Sequence, residues 1–277
     1  KAVPKPYVIA EEAVIDLNNL YSEMCMGNVL DDDIANRVTF ISTQVNNAEI
    51  RNAAITEKEA FIYAQLLKYD LALEKFNELL QMEKASFYVS TLEIFCNTKA
   101  KKAIHEYKNG TIKVKEATVL MDKVIAELMN LLYISPTAER FNLLGSTNKR
   151  RAYIASTIPQ KINFLSLAAY NYQHAQKISS EENRIYPLTN WYIMESLLTM
   201  MDKHVWGQQA GTGERKYELP ALKNVLSELM EKKKQLQNSS RHTFSYDEKV
   251  ALANIELCEL LLQPHKATQP ALDELLL

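Results

Sequence analysis

Three consecutive cations, Lys149, Arg150 and Arg151, close the stretch TAERFNLLGSTNKRRA at residues 137–152. Such a triplet has the chemistry to grip a phosphate or an acidic side chain. On a helix, however, neighbouring residues fan out by about 100° each, so three in a row cannot all face one ligand. The competing reading makes them the polar end of a helix, where cations complement the negative end of the dipole. Two further basic clusters, Lys99 with Lys101 and Lys102, and Lys232 with Lys233 and Lys234, fall toward the C-terminal halves of helical patterns and read as solvated faces. A pI near 6.3 and a formal net charge of −2 lack the basic excess of a nucleic-acid binder.

The remaining reactive residue types form no recognisable set. The five histidines, His105, His174, His204, His242 and His265, make no HExxH and no close pair, and His174 beside Tyr172 and Ala175 reads as packed. Asp31, Asp32 and Asp33 could meet a cation, but an acidic helix N-terminus explains them without one. WGQQAGTGER at 206–215 holds Gly207, Gly211 and Gly213, half of the six glycines. A phosphate loop needs GxxxxGK[ST] between a strand and a helix; this stretch has neither, and reads as a mobile inter-helix loop able to contact a partner. Cys25, Cys96 and Cys258 form no CxxC pair and read as reduced core thiols. No catalytic residue, metal or cofactor is therefore expected.

The elements that must position any site are helices. Apolar residues recur at three- and four-residue spacing in ALEKFNELLQ, LMDKVIAELMNLL and YDEKVALANIELCELLL. Capping-box spacing joins Thr56 to Glu59, Ser179 to Glu182 and Ser245 to Glu248. Pro136, Pro159, Pro187 and Pro220 each open an apolar-periodic run. TIKVKEATV is the sole strand candidate, and it runs straight into a helix. About twelve helices result, paired as 8–26 with 31–48, 56–67 with 70–83, 86–107 with 113–133, 136–155 with 159–179, 187–204 with 218–237, and 245–263 with 268–277. Successive antiparallel hairpins predict an all-α solenoid, with a globular helical bundle as the alternative.

A repeat lies within this pattern. AFIYAQLLKYDLALEKFNELLQMEK, 60–84, follows the tetratricopeptide spacing: small Ala60 and Ala72 where helices close, Tyr63, Tyr69 and Phe76 in the groove, then Leu79. Lys84 stands where the consensus has proline. A second unit places Phe141, Leu144 and Gly145 on its first helix. Its second helix carries Ala168, Tyr172 and Ala175, about eleven residues later than a 34-residue repeat allows. In a third, YPLTNWYIMESLL, Trp191 fills the large position and Glu195 replaces the small residue.

Taken in order over 138–193, LLGSTNKRRA, A-xxx-Y-xx-A and YPLTNW resemble the tetratricopeptide-type regions of multidomain signalling and effector proteins. These include the central regulatory region of stress-activated kinase kinases and bacterial proteins with caspase-like (CHAT) protease domains. The resemblance implies a regulatory or scaffolding segment whose catalytic partner, a protease or kinase component, lies elsewhere. Ligands of such repeats sit on the concave face lined by first helices. That face would show Glu139, Asn142, Ser146 and Lys149, with Thr189 and Tyr192 at the corresponding places beside Trp191. Of the basic triplet, Lys149 alone falls on this stripe. Asn142 and Ser146 stand where chaperone-binding repeats carry Lys and Asn, which disfavours an EEVD-type C-terminal peptide.

The expectation is a single elongated helical-repeat domain over 1–277. It comprises a linker at 1–8, N-terminal hairpins at 9–133, the most tetratricopeptide-like hairpins at 134–237 and capping helices at 245–277. No apolar run spans a membrane and no leader is visible, so a cytoplasmic protein is expected. The start KAVPKP reads as a linker in a larger protein. The expected function is non-catalytic protein binding. One alternative is an RNA- or DNA-binding repeat, in which Lys149 and Arg150 join Lys99, Lys101 and Lys102 on one surface. The other is an all-α enzyme with dispersed catalytic residues.

Overall fold

A computed structural model describes residues 7, 9–26, 31–83, 88–202, 227, 229–231, 233–235 and 252–258. The 206–215 loop, Pro220, Lys232, the Ser245–Glu248 pair and the 268–277 capping helix lie outside these residues. All regular structure within them is helical: α1 (Ala10–Met26), α2 (Asp31–Asn47), α3 (Ala53–Gln65), α4 (Tyr69–Gln81), α5 (Val89–Lys108), α6 (Val114–Ile134), α7 (Ala138–Ile154), α8 (Ile158–Ile178) and α9 (Ile185–Asp202). Helices pack mainly on their neighbours in sequence, α1 on α2, α3 on α4, then α6 on α7, α7 on α8 and α8 on α9, and α1 also packs on α3. This is the order of a tetratricopeptide-like α-solenoid rather than of a globular bundle. No helix among the described residues is long and apolar enough to cross a membrane. Two compact units divide the chain, Lys1–Lys102 and Ala103–Leu277, with the boundary inside α5; the sequence reading treats 1–277 as one domain.

The first unit buries one stripe per helix: Ala13, Leu17 and Leu20 of α1, Ile34, Val38, Ile41 and Val45 of α2, and Ala72, Phe76 and Leu79 of α4. Ala60 and Ala72 are fully buried, and Tyr63 and Phe76 are buried beside them. The start of α3 corrects the sequence reading. Asn52, not Thr56, is the cap, accepting a hydrogen bond from the Ile55 N–H at 3.0 Å. Thr56 and Glu59 lie inside the helix and are both fully buried. Glu59 is held instead by Arg51, whose Nη1 and Nη2 donate to its two oxygens at 2.7 and 3.2 Å.

Three helix ends close by the same device, a bond from the third residue past the helix to the third-last carbonyl. These are Ile50 N–H to Val45 O, Lys68 N–H to Tyr63 O and Thr111 N–H to Glu106 O. Each needs a left-handed residue in between, and those residues are Glu49 (φ 55°), Leu67 (φ 58°) and Gly110 (φ 73°). In a chain so poor in glycine, two of the three turns carry a side chain where glycine is favoured.

In the second unit, Thr137 caps α7 through the Arg140 N–H at 3.2 Å, so Pro136 precedes the helix rather than opening it. Thr157 caps α8 at the Gln160 N–H, with Pro159 in its first turn. Ser179 ends α8, its hydroxyl donating to the Ala175 carbonyl at 2.7 Å, and does not start the short 3-10 turn Glu181–Asn183 as a capping box would. Gly145 packs against Tyr172: a Cβ built on it would stand 3.0 Å from the ring. Around that contact the core gathers Leu165, Ala168, Tyr172, Leu188, Trp191, Tyr192 and Leu198.

Candidate functional site

The site builds outward from α7, most of which is immobilised by its neighbours. Arg140, buried, donates through Nη1 to the carbonyls of Leu131 and Ser135, tying the start of α7 to the end of α6. Arg151, also buried, donates from Nε to Asp122 Oδ1 at 2.7 Å and lays its guanidinium 4.5 Å from the Phe164 ring centroid. The last member of the basic triplet is therefore an architectural bolt between α6, α7 and α8. Phe141 and Tyr170 flank the imidazole of His174 at 5.3 and 4.1 Å, and the His174 Nδ1 lies 2.9 Å from the Tyr170 carbonyl. Leu144, Gly145, Ala168, Tyr172 and Ala175 are all buried.

One face of α7 remains open. Glu139 is exposed, while Asn142, Lys149 and Arg150 are half-buried. Ser146, on the same stripe, is buried and donates to the Leu143 carbonyl at 3.0 Å. Lys149 reaches across to α9, its Nζ donating to Asn190 Oδ1 at 3.3 Å. Asn190 is held for this by its own Nδ2, which donates to the Tyr186 carbonyl at 2.9 Å. The Lys149 ammonium keeps some contact with solvent but has protein densely around it. Desolvation, with a smaller push from Arg150, pulls it down from 10.5 to about 8.

Arg150 also belongs to this face. Its Nη1 donates to Ser146 Oγ at 3.1 Å, and its charge acts on both Lys149 and the Tyr172 hydroxyl. This corrects the expectation that Lys149 alone of the triplet faces the stripe: a long side chain at the i+4 position folds back over Ser146. Tyr172 is fully buried, and its hydroxyl lies beside Tyr186 without a well-formed hydrogen bond. Burial pushes that phenol well above 10. The Oδ1 of Asn142 is likewise buried without a partner among the described residues.

Two expected face residues are elsewhere. Thr189 is fully buried, its hydroxyl donating to the Ile185 carbonyl at 2.9 Å, and its own carbonyl faces the Cys258 thiol. Tyr192 sits in the hydrophobic core, its phenol pushed up to about 12 by burial. Both were placed by analogy with Phe141, but α9 is buried almost all round, with Trp191 donating to Glu195 Oε1 at 3.1 Å inside it. The residue of α9 that meets the α7 face is Asn190, itself buried, through its bond from Lys149. The 186–190 spacing hints at one helix edge, but the 149–190 contact between helices has no signature in the chain.

The other basic cluster is engaged within the first unit. Lys99 stands 3.9 Å over the Phe95 ring, and Lys102 pairs with Asp70. Asp33 of the acidic triplet pairs with Arg37 at 3.8 Å. No curated protein and no solved structure matches the chain. Residues 68–201, from α4 through α9, match the family described as TPR-S, Tetratricopeptide Repeats-Sensor, which supports a tetratricopeptide-like helical domain there.

Proposed function

We propose that this chain is a non-catalytic protein-interaction module, the regulatory or scaffold part of a larger cytoplasmic effector or signalling system. Repeat domains of the tetratricopeptide type bind protein segments along the helices that line their grooves, and they are generally without catalytic activity. One observation carries the reading. α7 is fixed on α6 and α8 by Arg140, Arg151 and the Gly145–Tyr172 contact, yet keeps a polar strip of Glu139, Asn142, Lys149 and Arg150 open. A rigid helix that presents polar and charged side chains is what a partner reads. The word sensor in the matched family's description agrees with a regulatory role, and a protease or kinase effector component is the partner class we favour.

The test is affinity capture with the chain, followed by titration of each captured protein in purified form. Asn142→Ala/Lys149→Ala should weaken a true partner by about tenfold or more, the loss of two central contacts. A purified partner that binds the double variant as well as the parent would remove the α7 face from the reading.

A further inference from the structure

Among the described residues, several cations that join helices find compensation. Arg51 has Glu59, Arg37 has Glu23, Lys75 has Glu78, Lys102 has Asp70, Arg151 has Asp122, and Arg140 takes two carbonyls at a helix end. Lys149 and Arg150 break this pattern. Each makes a hydrogen bond to a neutral oxygen only, Asn190 Oδ1 and Ser146 Oγ, and among the described residues no carboxylate lies within 4.0 Å of either. They are neighbours of like charge and repel one another. Adjacent cations, partly desolvated and without a counter-charge, are unfavourable in the free protein.

The groups around them point the same way. Lys149 keeps N–H bonds beyond the one given to Asn190, and Arg150 keeps most of its fork. The Tyr172 hydroxyl, fully buried within reach of the Arg150 field, has no well-formed bond of its own. The groups left over on Lys149 and Arg150 are N–H donors, which a group with lone pairs and negative charge would satisfy.

We propose that the Lys149–Arg150 end of the α7 face is an oxyanion-binding site, taking one carboxylate or phosphate group between the ammonium and the guanidinium. The inference stands apart from the partner reading, since an acidic segment of a protein and a free phosphate compound both supply such an oxyanion. Arg supplies paired donors in a plane and Lys a point charge, a combination that suits either group.

Two probes separate the sources: inorganic phosphate, and an N-acetylated peptide of aspartate and glutamate, each titrated calorimetrically at constant ionic strength. Saturable binding of at least one is expected, and Lys149→Gln/Arg150→Gln should weaken it by about tenfold or more. Phosphate alone binding assigns a free phosphate compound, and the peptide alone assigns a partner chain. The wild-type chain gives a readout that needs no variant to fold. Saturating probe should slow acetylation of Lys149 by an amine-reactive ester several-fold and leave exposed Lys113 unchanged. Neither probe saturating, or binding without protection of Lys149, would overturn the site. Retained partner capture alongside that failure would leave the protein-interaction reading intact.

Discussion

Two charged clusters, one in each unit, show opposite uses of the same side chains. In the first, Arg51 spans α2 and α3. It meets Glu59 twice, donates to Asn46 Oδ1 at 2.7 Å and to Ser42 Oγ at 2.8 Å, while Lys75 stands 3.7 Å from the same carboxylate. Every charge there is answered from within the chain. In the second, Lys149 and Arg150 lean on neutral oxygens and on nothing negative among the described residues. A complete cluster fixes helices against one another; an incomplete one has room for a further group, which the proposed oxyanion would supply. The contrast makes sign the diagnostic. Removing a charge from the first should destabilise the fold, and removing one from the second should not.

The largest expected effect is at Glu59. Its side chain is fully buried, so Glu59→Ala leaves Arg51 short of its main counter-charge and Lys75 with Glu78 alone. The loss should be about 3 kcal/mol or more by urea unfolding, the usual result of removing one member of a buried pair. Replacing both partners, Arg51→Met/Glu59→Leu, should recover much of that loss, because no charge is then stranded. A Glu59→Ala chain that unfolds at the parental urea concentration would break the comparison.

How much of this was legible beforehand depends on the range of each interaction. Helix positions and hairpin order follow from local periodicity, which one chain displays directly; α6, α7 and α8 fall within a few residues of the predicted ranges 113–133, 136–155 and 159–179. The small–aromatic contact of Gly145 with Tyr172 was also readable, because a repeat imposes its own register. Thr56 and Glu59 misled because capping-box spacing recurs inside helices, and only burial shows that Glu59 answers Arg51. Thr189 and Tyr192 misled because analogy with Phe141 assumes that α9 has an open face, whereas packing closes it. Arg150 was within reach of the i,i+4 rule from Ser146, but Asn190 depends on how α9 lies against α7.

Next in size comes the joint that positions the second cluster. A methyl group at Gly145 would meet the Tyr172 ring at 3.0 Å, and the ring is fully buried with little room to yield. Gly145→Ala gains helix propensity of about 1 kcal/mol, yet overpacking of this kind costs ~1–3 kcal/mol. A net loss of up to about 2 kcal/mol in thermal or urea unfolding is expected. Because the shift would move α7 on α8, oxyanion binding should weaken too. Parental binding in a destabilised Gly145→Ala chain would show that the face tolerates the displacement.

Lys149 supplies the sign test. Its ammonium is held near 8 in the folded chain against 10.5 when unfolded, so the unfolded state binds more protons between those values. Stability should therefore rise with pH from about 8 to about 10.5 on this residue's account, with the charged form disfavoured below. Lys149→Met should raise stability on the order of 1–2 kcal/mol at pH 7, a gain that fades across that window. The Tyr172 phenol, pushed well above 10 by burial, stays neutral. Oxyanion affinity should fall as pH passes upward through 8. Destabilisation by Lys149→Met at neutral pH would mean that this lysine, like Arg51, belongs to the architecture.

The smallest effects sharpen the same division at the helix ends. Leu67, in the left-handed region at φ 58° and largely exposed, strains its turn, whereas Gly110 meets φ 73° without a side chain and with open space around it. Leu67→Gly relieves roughly 1–2 kcal/mol of backbone strain and returns part of it as unfolded-chain entropy. A net gain of about 0.5–1 kcal/mol is expected. Gly110→Ala, with no neighbour to contact, should lose about 1 kcal/mol from the backbone alone. Opposite shifts of the urea midpoint with unchanged slope would identify both as backbone effects. Neither substitution touches a charge, so oxyanion binding should stay at the parental level in both. A change in binding at Leu67→Gly would mean that the first unit influences the α7 face, and that the two clusters are not independent.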